Sequence, residues 1–139
     1  MNTQKGLLMT AAILTAIALA APSFVAQSVQ VRATIPFDFY VADRLLPAGA
    51  YVIAPQANSD AIRVYDNRGN SAFVMTKGLR ENRAMDYNRL VFHRYGTTSF
   101  LTSIYWEGFK SGRDLATSKM EQRLAQNANA PTAVAVLLK

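Results

Sequence analysis

The amino-acid sequence predicts a mainly β fold: a small antiparallel β-barrel or β-sandwich of about seven or eight strands with one short C-terminal helix. Three observations carry this. Apolar residues recur at every second position through most of the chain after Val29, which is the strand period. Clusters of Gly, Pro, Asn and Asp punctuate those runs at short intervals. The period changes to that of a helix once, after Ser118. At 139 residues the chain has room for one such domain.

The first segment is of another kind. Met1 to Lys5 carry one Lys and an amine, and Gly6 to Ala21 (GLLMTAAILTAIALAA) are uncharged and apolar. Pro22 and small residues around Ala26-Gln27-Ser28 follow. This is the pattern of a secretory signal peptide over residues 1–26, cleaved between 23 and 28, which leaves a single β-rich domain over 27–139. The run falls short of the ~20 apolar residues of a membrane-spanning helix. No basic cluster follows to stop transfer, so no membrane span is expected after its removal.

In the body, Val29, Val31, Ala33 and Ile35 alternate with Gln30, Arg32 and Thr34. Pro36 cannot donate to a ladder and marks an edge or bend. Phe37, Phe39 and Val41 resume on one face, with Asp38 and Tyr40 on the other. Ala42 to Gly49 (ADRLLPAG) reads as a turn region, where Pro47 presets φ and Gly49 permits a positive one. Ala50 to Ala54 forms a strand that Pro55 ends, and Ala61 to Tyr65 another, with Ile62 and Val64 facing one way and Arg63 and Tyr65 the other. Asp66 to Asn70 fits a hairpin loop with Gly69 left-handed, from which Ser71 to Thr76 returns. Lys77 to Asn88 is a polar loop or irregular helix.

Arg89 to Tyr95 and Ser99 to Trp106 flank Gly96-Thr97-Thr98, the strongest hairpin signal in the chain. A two-residue Gly96-Thr97 turn would set His93 opposite Phe100, with Val91 and Thr102 on its face. Glu107 to Asp114 reads as a loop. Ser118-Lys119-Met120-Glu121 has capping-box spacing, with Glu121 able to reach back to the first-turn amides. Met120 and Leu124, together with Leu115, make an apolar stripe, and the helix fades near Gln126. Thr132 to Leu138 is a last strand that closes the sheet. Pairing between sequence neighbours predicts an antiparallel meander.

Composition excludes several chemistries. The chain has no cysteine, hence no disulfide, thiolate metal site or cysteine nucleophile. An exported domain of this kind stands on its hydrophobic core alone. Net charge is +6, and Lys5 is the only charged side chain of the leader, so nearly all of that charge belongs to the domain. Such a domain attracts anionic polymers and surfaces.

Ile35-Pro36-Phe37-Asp38-Phe39-Tyr40-Val41, Leu46-Pro47-Ala48-Gly49-Ala50-Tyr51 and Leu90-Val91-Phe92-His93-Arg94-Tyr95-Gly96 resemble a group of small exported bacterial β-rich proteins of unknown function. Their pattern is Phe-x-Phe-x-Val, Leu-Pro-Ala-Gly-x-Tyr and Phe-His-x-Tyr-Gly, followed by a Phe-Leu strand and a Ser-x-x-Glu helix. Phe100-Leu101 and Ser118 to Glu121 stand in the last two places. The resemblance implies export and a β-rich fold. It implies no activity and no site residue.

Candidate chemistry is sparse. His93 is the only histidine, and its expected neighbours suit a packed side chain better than an acid–base catalyst. The acids form no patterned pair, Asp60 and Asp66 read as turn residues, and no Gly-x-Ser-x-Gly elbow or phosphate loop occurs. No catalytic, metal or cofactor site is expected. Lys77, Arg80, Arg83, Arg89 and Arg94 make a basic cluster interleaved with Tyr87 and Tyr95, the candidate anion-binding surface. Export makes anionic envelope polymer or lipid head groups its expected partners, not nucleic acid. Phe37, Phe39, Tyr40, Phe73, Phe92, Phe100, Tyr105 and Trp106 are the largest apolar side chains, most of them expected in the core.

Three functions compete. The first is a non-enzymatic exported envelope protein, structural or interacting, with a filled core and a working surface. The second is a small apolar-ligand binding β-barrel with an open, aromatic-lined interior. The third is an enzyme, which gains ground only if His93 stands exposed in a cleft beside a carboxylate. A membrane barrel would need strands of ~9–11 residues, longer than most strands here. The first is the expected function.

Overall fold

A computed structural model of the protein describes residues 30–78, 88–106 and 112–139. The leader assigned to residues 1–26 lies outside the described residues, as do Arg80 and Arg83.

The chain forms strands β1 (Val31–Ile35), β2 (Phe39–Val41), β3 (Arg44–Leu46), β4 (Gly49–Pro55), β5 (Ala61–Tyr65) and β6 (Ser71–Gly78). After these come β7 (Arg89–Tyr95), β8 (Thr98–Tyr105) and β9 (Arg113–Leu115), then helix α1 (Lys119–Asn127) and β10 (Thr132–Leu137). The mainly β class with one short C-terminal helix is therefore what the structure has. The alternation expected from the sequence sets the faces: Val31, Ala33 and Ile35 of β1 are buried and the residues between them exposed.

The ten strands form one curled sheet whose main path is β1-β4-β5-β6-β9-β8-β2-β3, with β7 on the other edge of β8 and β10 outside β7. A meander was expected, and the structure departs from it. β8 divides one edge between two partners: Ser103 and Ile104 pair antiparallel with β9, and Phe100 pairs with Tyr40 of β2 in a parallel bridge. Following the antiparallel pairings round, β1 and β10 run in opposite directions. They meet through one main-chain bond, Lys139 N donating to Arg32 O at 3.0 Å, and no ladder joins them, so the sheet is not closed.

Two elements correct the sequence reading. The turn region Ala42 to Gly49 contains β3, three residues that hairpin back on β2 and send Leu46 into the core. The loop from Glu107 to Asp114 ends in β9, which bridges β6 and β8. Both strands are only three residues long, too short to show a period.

The β7–β8 hairpin is as expected at its turn. Gly96 has φ 61°, the left-handed conformation, and Tyr95 opposes Thr98 and His93 opposes Phe100. The expected Val91–Thr102 pairing fails, because the register shifts between Val91 and Phe92 and Val91 opposes Ser103. The extra residue is Thr102, whose hydroxyl donates to Val91 O at 3.1 Å.

The interior is filled by aromatic and branched side chains. Phe39 lies edge-on to Tyr51 at 5.1 Å and to Phe92 at 5.5 Å, and Phe37 edge-on to Phe92 at 5.0 Å. Edge-to-face rings at these distances add to the burial energy of each ring. Tyr51 was not among the expected core residues, and its hydroxyl donates to Pro47 O at 2.5 Å, which satisfies its polar end. Phe73 was expected in the core but is 62% exposed.

The Leu-Pro-Ala-Gly-x-Tyr segment is pinned from outside by the β5–β6 turn. Arg68 Nη2 donates to Ala48 O at 3.2 Å, and a Cβ on Gly49 would lie 2.7 Å from that nitrogen. Asp66 in turn holds the loop. Its carboxylate accepts from Arg68 N and Asn70 N, both at 2.9 Å, and from Arg68 Nε and Asn70 Nδ2 at 3.0 and 2.8 Å. Desolvation works to raise its pKa, but these bonds together pull it down from 3.8 to about 2.

Two predictions follow from this packing. Phe92→Ala or Phe39→Ala should destabilise the domain by about 3–5 kcal/mol, read as a fall in the denaturant midpoint at unchanged slope. A folded-state pKa below the unfolded one gives stability that is present above pH 3.8 and lost as pH falls through about 2. An acid titration should therefore show wild type losing stability relative to Asp66→Asn across that window, with the two curves parallel above pH 5 or so.

Candidate functional site

Two places on the molecule carry unusual side-chain arrangements. The first is where α1 meets β7. Ser118 caps the helix, its Oγ accepting from Glu121 N at 3.1 Å. Only this half of the expected capping box forms. The Glu121 side chain turns toward the sheet instead of back to the first-turn amides. Its Oε1 is 3.3 Å from His93 Nδ1 and accepts from the Tyr95 hydroxyl at 3.4 Å.

Glu121 is the only buried residue of the helix, with a side chain 7% exposed. A carboxylate out of water is costly unless paired. Here three features offset the cost: the Tyr95 hydroxyl, the imidazole, and a position in the first helical turn, where the helix dipole favours negative charge. Burial, then the charge of Glu121 and its hydrogen bond, raise the Tyr95 pKa above 10.0. Outside this cluster, Tyr40 stacks on Phe100 at 5.2 Å and Tyr95 meets the same ring edge-on at 6.0 Å. That explains how Phe100 is buried although it lies outside the main core cluster.

His93 is thus not the packed residue expected from the sequence. Its side chain is 40% exposed and stands beside a carboxylate. Neither of the two depressions described below includes His93, Tyr95 or Glu121 in its lining. A pairing that joins residues 28 positions apart leaves no trace in local spacing.

The predicted basic cluster is dispersed as far as it is described. Lys77 is exposed on β6, with β9 and β8 between it and β7. The Arg89 guanidinium lies over the Tyr105 ring at 4.8 Å. Arg94 lies over the Phe37 ring at 4.6 Å and donates to Ser99 Oγ at 3.1 Å, so it covers one end of the core.

The second place is the outer face of β1, β4, β5 and β6. Alternation puts Arg32 and Thr34 outward on β1, Ala50 and Val52 on β4, Ala61, Arg63 and Tyr65 on β5, and Ser71, Phe73, Met75 and Lys77 on β6, while Ala54 of β4 is buried. Register brings them into rows: Arg32 beside Val52 beside Tyr65, and Arg63 beside Phe73. No carboxylate occupies an outward position on these four strands.

Phe73 is 62% and Met75 58% exposed. The Arg63 guanidinium sits 4.5 Å from the Tyr65 ring and 5.5 Å from the Phe73 ring, with Nε donating to Ser71 Oγ at 3.2 Å. A groove of about 500 Å³ runs over the same face, floored by Ala50 and Val52 and lined also by Tyr65, Arg32, Lys139 and, from the β5–β6 turn, Asp66. That is within the size range of small-ligand sites. A shallower depression of about 600 Å³ lies between Arg44 and Phe73.

The ring contacts of Tyr95 give a direct test of the first place. Replacing Glu121 by Gln removes the neighbouring charge, so the Tyr95 pKa should fall toward 10.0 while burial keeps it above that value. Ultraviolet titration of the phenol in wild type and variant measures this, and an unchanged titration would mean that Glu121 does not face the ring. No protein-family model matches the chain, and no curated protein or solved structure matches it either.

Proposed function

We propose that this protein is an exported, non-catalytic envelope protein that works by binding a partner on its outer surface. The observation that carries the reading is the face of β1, β4, β5 and β6, where Phe73 and Met75 stand 62% and 58% exposed on strands that carry no carboxylate. Leaving large apolar side chains in water forgoes burial energy of about 1.5–3 kcal/mol each. Contiguous apolar surface on a soluble domain marks an interaction site. The filled interior also supports this reading over an apolar-ligand barrel, since Phe39, Tyr51 and Phe92 occupy the space such a ligand would take.

The His93–Glu121 pair is the strongest feature on the side of an enzyme. A carboxylate can orient an imidazole for proton transfer. That chemistry needs a bound reactant near the ring, and the grooves described lie elsewhere. The pair serves better as a latch that ties α1 to β7.

The test is retention of the purified exported protein on its native envelope fraction. Phe73→Ser with Met75→Ser should cut retention at least about fivefold while leaving the thermal midpoint within about 2 °C, since surface substitutions rarely exceed ±0.5 kcal/mol. His93→Asn should retain binding. If His93→Asn abolishes retention and the double variant does not, the working surface is at α1 and β7, and the reading falls.

A further inference from the structure

We infer that the partner of this face is an anionic lipid bilayer surface, an inference that rests on the binding role proposed above. Three features of the face select that partner. Its outward charges are Arg32, Arg63 and Lys77, all cationic, and the groove lining adds Lys139. Of the acids at its margins, Asp66 is held by Arg68 and Asn70 and Asp60 by Arg113 at 3.0 Å, while Asp43 lines the depression beside Phe73 next to Arg44. The face therefore complements a negative surface and repels a second copy of itself.

Phe73 and Met75 then separate lipid from acidic polysaccharide. They alternate on one strand and project together, with Lys77 next in the same row. A sugar polymer would exploit a flat aromatic platform and hydrogen-bonding groups. A thioether and a phenyl ring side by side, bordered by cations, instead match the boundary between head groups and acyl chains. Apolar side chains enter that boundary while Arg and Lys reach the phosphates. The groove beside Tyr65, floored by Ala50 and Val52, has space for one phosphate-bearing head group on the side of Arg32 and Lys139, with Asp66 also in its lining but held by Arg68.

The experiment is co-sedimentation of the purified exported protein, with leader removal verified by intact mass, with vesicles of phosphatidylglycerol and phosphatidylcholine mixed, or of phosphatidylcholine alone. Binding should require the anionic lipid and weaken as salt rises from 0.1 to 0.5 M in this test. Arg32→Gln and Lys77→Gln should each weaken it about fivefold, the worth of one cation at an anionic surface. Phe73→Ser with Met75→Ser should weaken it at least about tenfold at unchanged melting temperature.

A Phe73→Trp variant, in which the new indole reports its own surroundings, should shift its emission to the blue on adding anionic vesicles. Equal binding to both vesicle types, or anionic binding that survives the double variant with no shift at position 73, overturns the proposal. If vesicles do not bind at all while the envelope fraction still retains wild type and not the double variant, the lipid assignment fails and the surface-binding role stands. Displacement from the envelope by soluble polygalacturonate, with no vesicle binding, would assign the face to acidic polysaccharide.

Discussion

The structure depends on one chain of rings. Phe37, Phe92, Phe39 and Tyr51 meet edge to face in succession at 5.0, 5.5 and 5.1 Å. They come from the segment before β2, from β7, from β2 and from β4; β2 and β7 flank β8, and β4 lies toward the other end of the strand order. A chain without cysteine has no covalent tie between them. Edge-to-face packing in a dry interior takes that place, and it holds the short β2–β3 hairpin against the β8 edge, where one parallel bridge at Tyr40 and Phe100 would not suffice. Arg94 completes the arrangement by lying over Phe37.

Filling the interior this way moves the search for function outward. Apart from Tyr51, the core positions of β4, β5 and β6 are small or branched and nearly inaccessible, as with Ile53, Ile62 and Val64. On the reverse side of the same strands the sequence places Val52, Tyr65, Phe73 and Met75, so β5 and β6 carry large apolar residues on both faces. A strand in a two-layer protein gains from only one apolar face. The second is a cost in solubility, and the flanking Arg32, Arg63 and Lys77 are what keep the surface wettable.

The β-rich class and the strands that alternate cleanly were legible in the sequence. β5 matches its expected limits, and the β7–β8 turn sets His93 opposite Phe100 as expected. β3 and β9 were hidden because three residues hold no period, and their strand character comes from the partner edges of β2, β6 and β8. The exposure of Phe73 was also hidden: its alternation with Val74 assigns it to the outer face, but aromatic character alone argued for the core. Glu121 was read as a capping residue on spacing. The helix N-terminus needs only Ser118 for that bond, which leaves the carboxylate available to β7.

The two unusual places differ in what they cost the fold, and the difference separates structure from function. Glu121 is buried, but the Tyr95 hydroxyl, His93 and the helix dipole each lower the penalty, so the arrangement is accounted for by its own contacts. Removing any partner would cost stability, and that is enough to explain why the group exists. Phe73 and Met75 have less of one: the Phe73 ring meets the Arg63 guanidinium at 5.5 Å, yet both side chains stand more than half exposed. Serine at either position would cost the folded domain little and improve its hydration. A feature that the fold does not need, and that the solvent disfavours, finds its reason in something the molecule touches. That asymmetry, more than the presence of a histidine beside an acid, supports the binding role proposed for the outer face of β5 and β6.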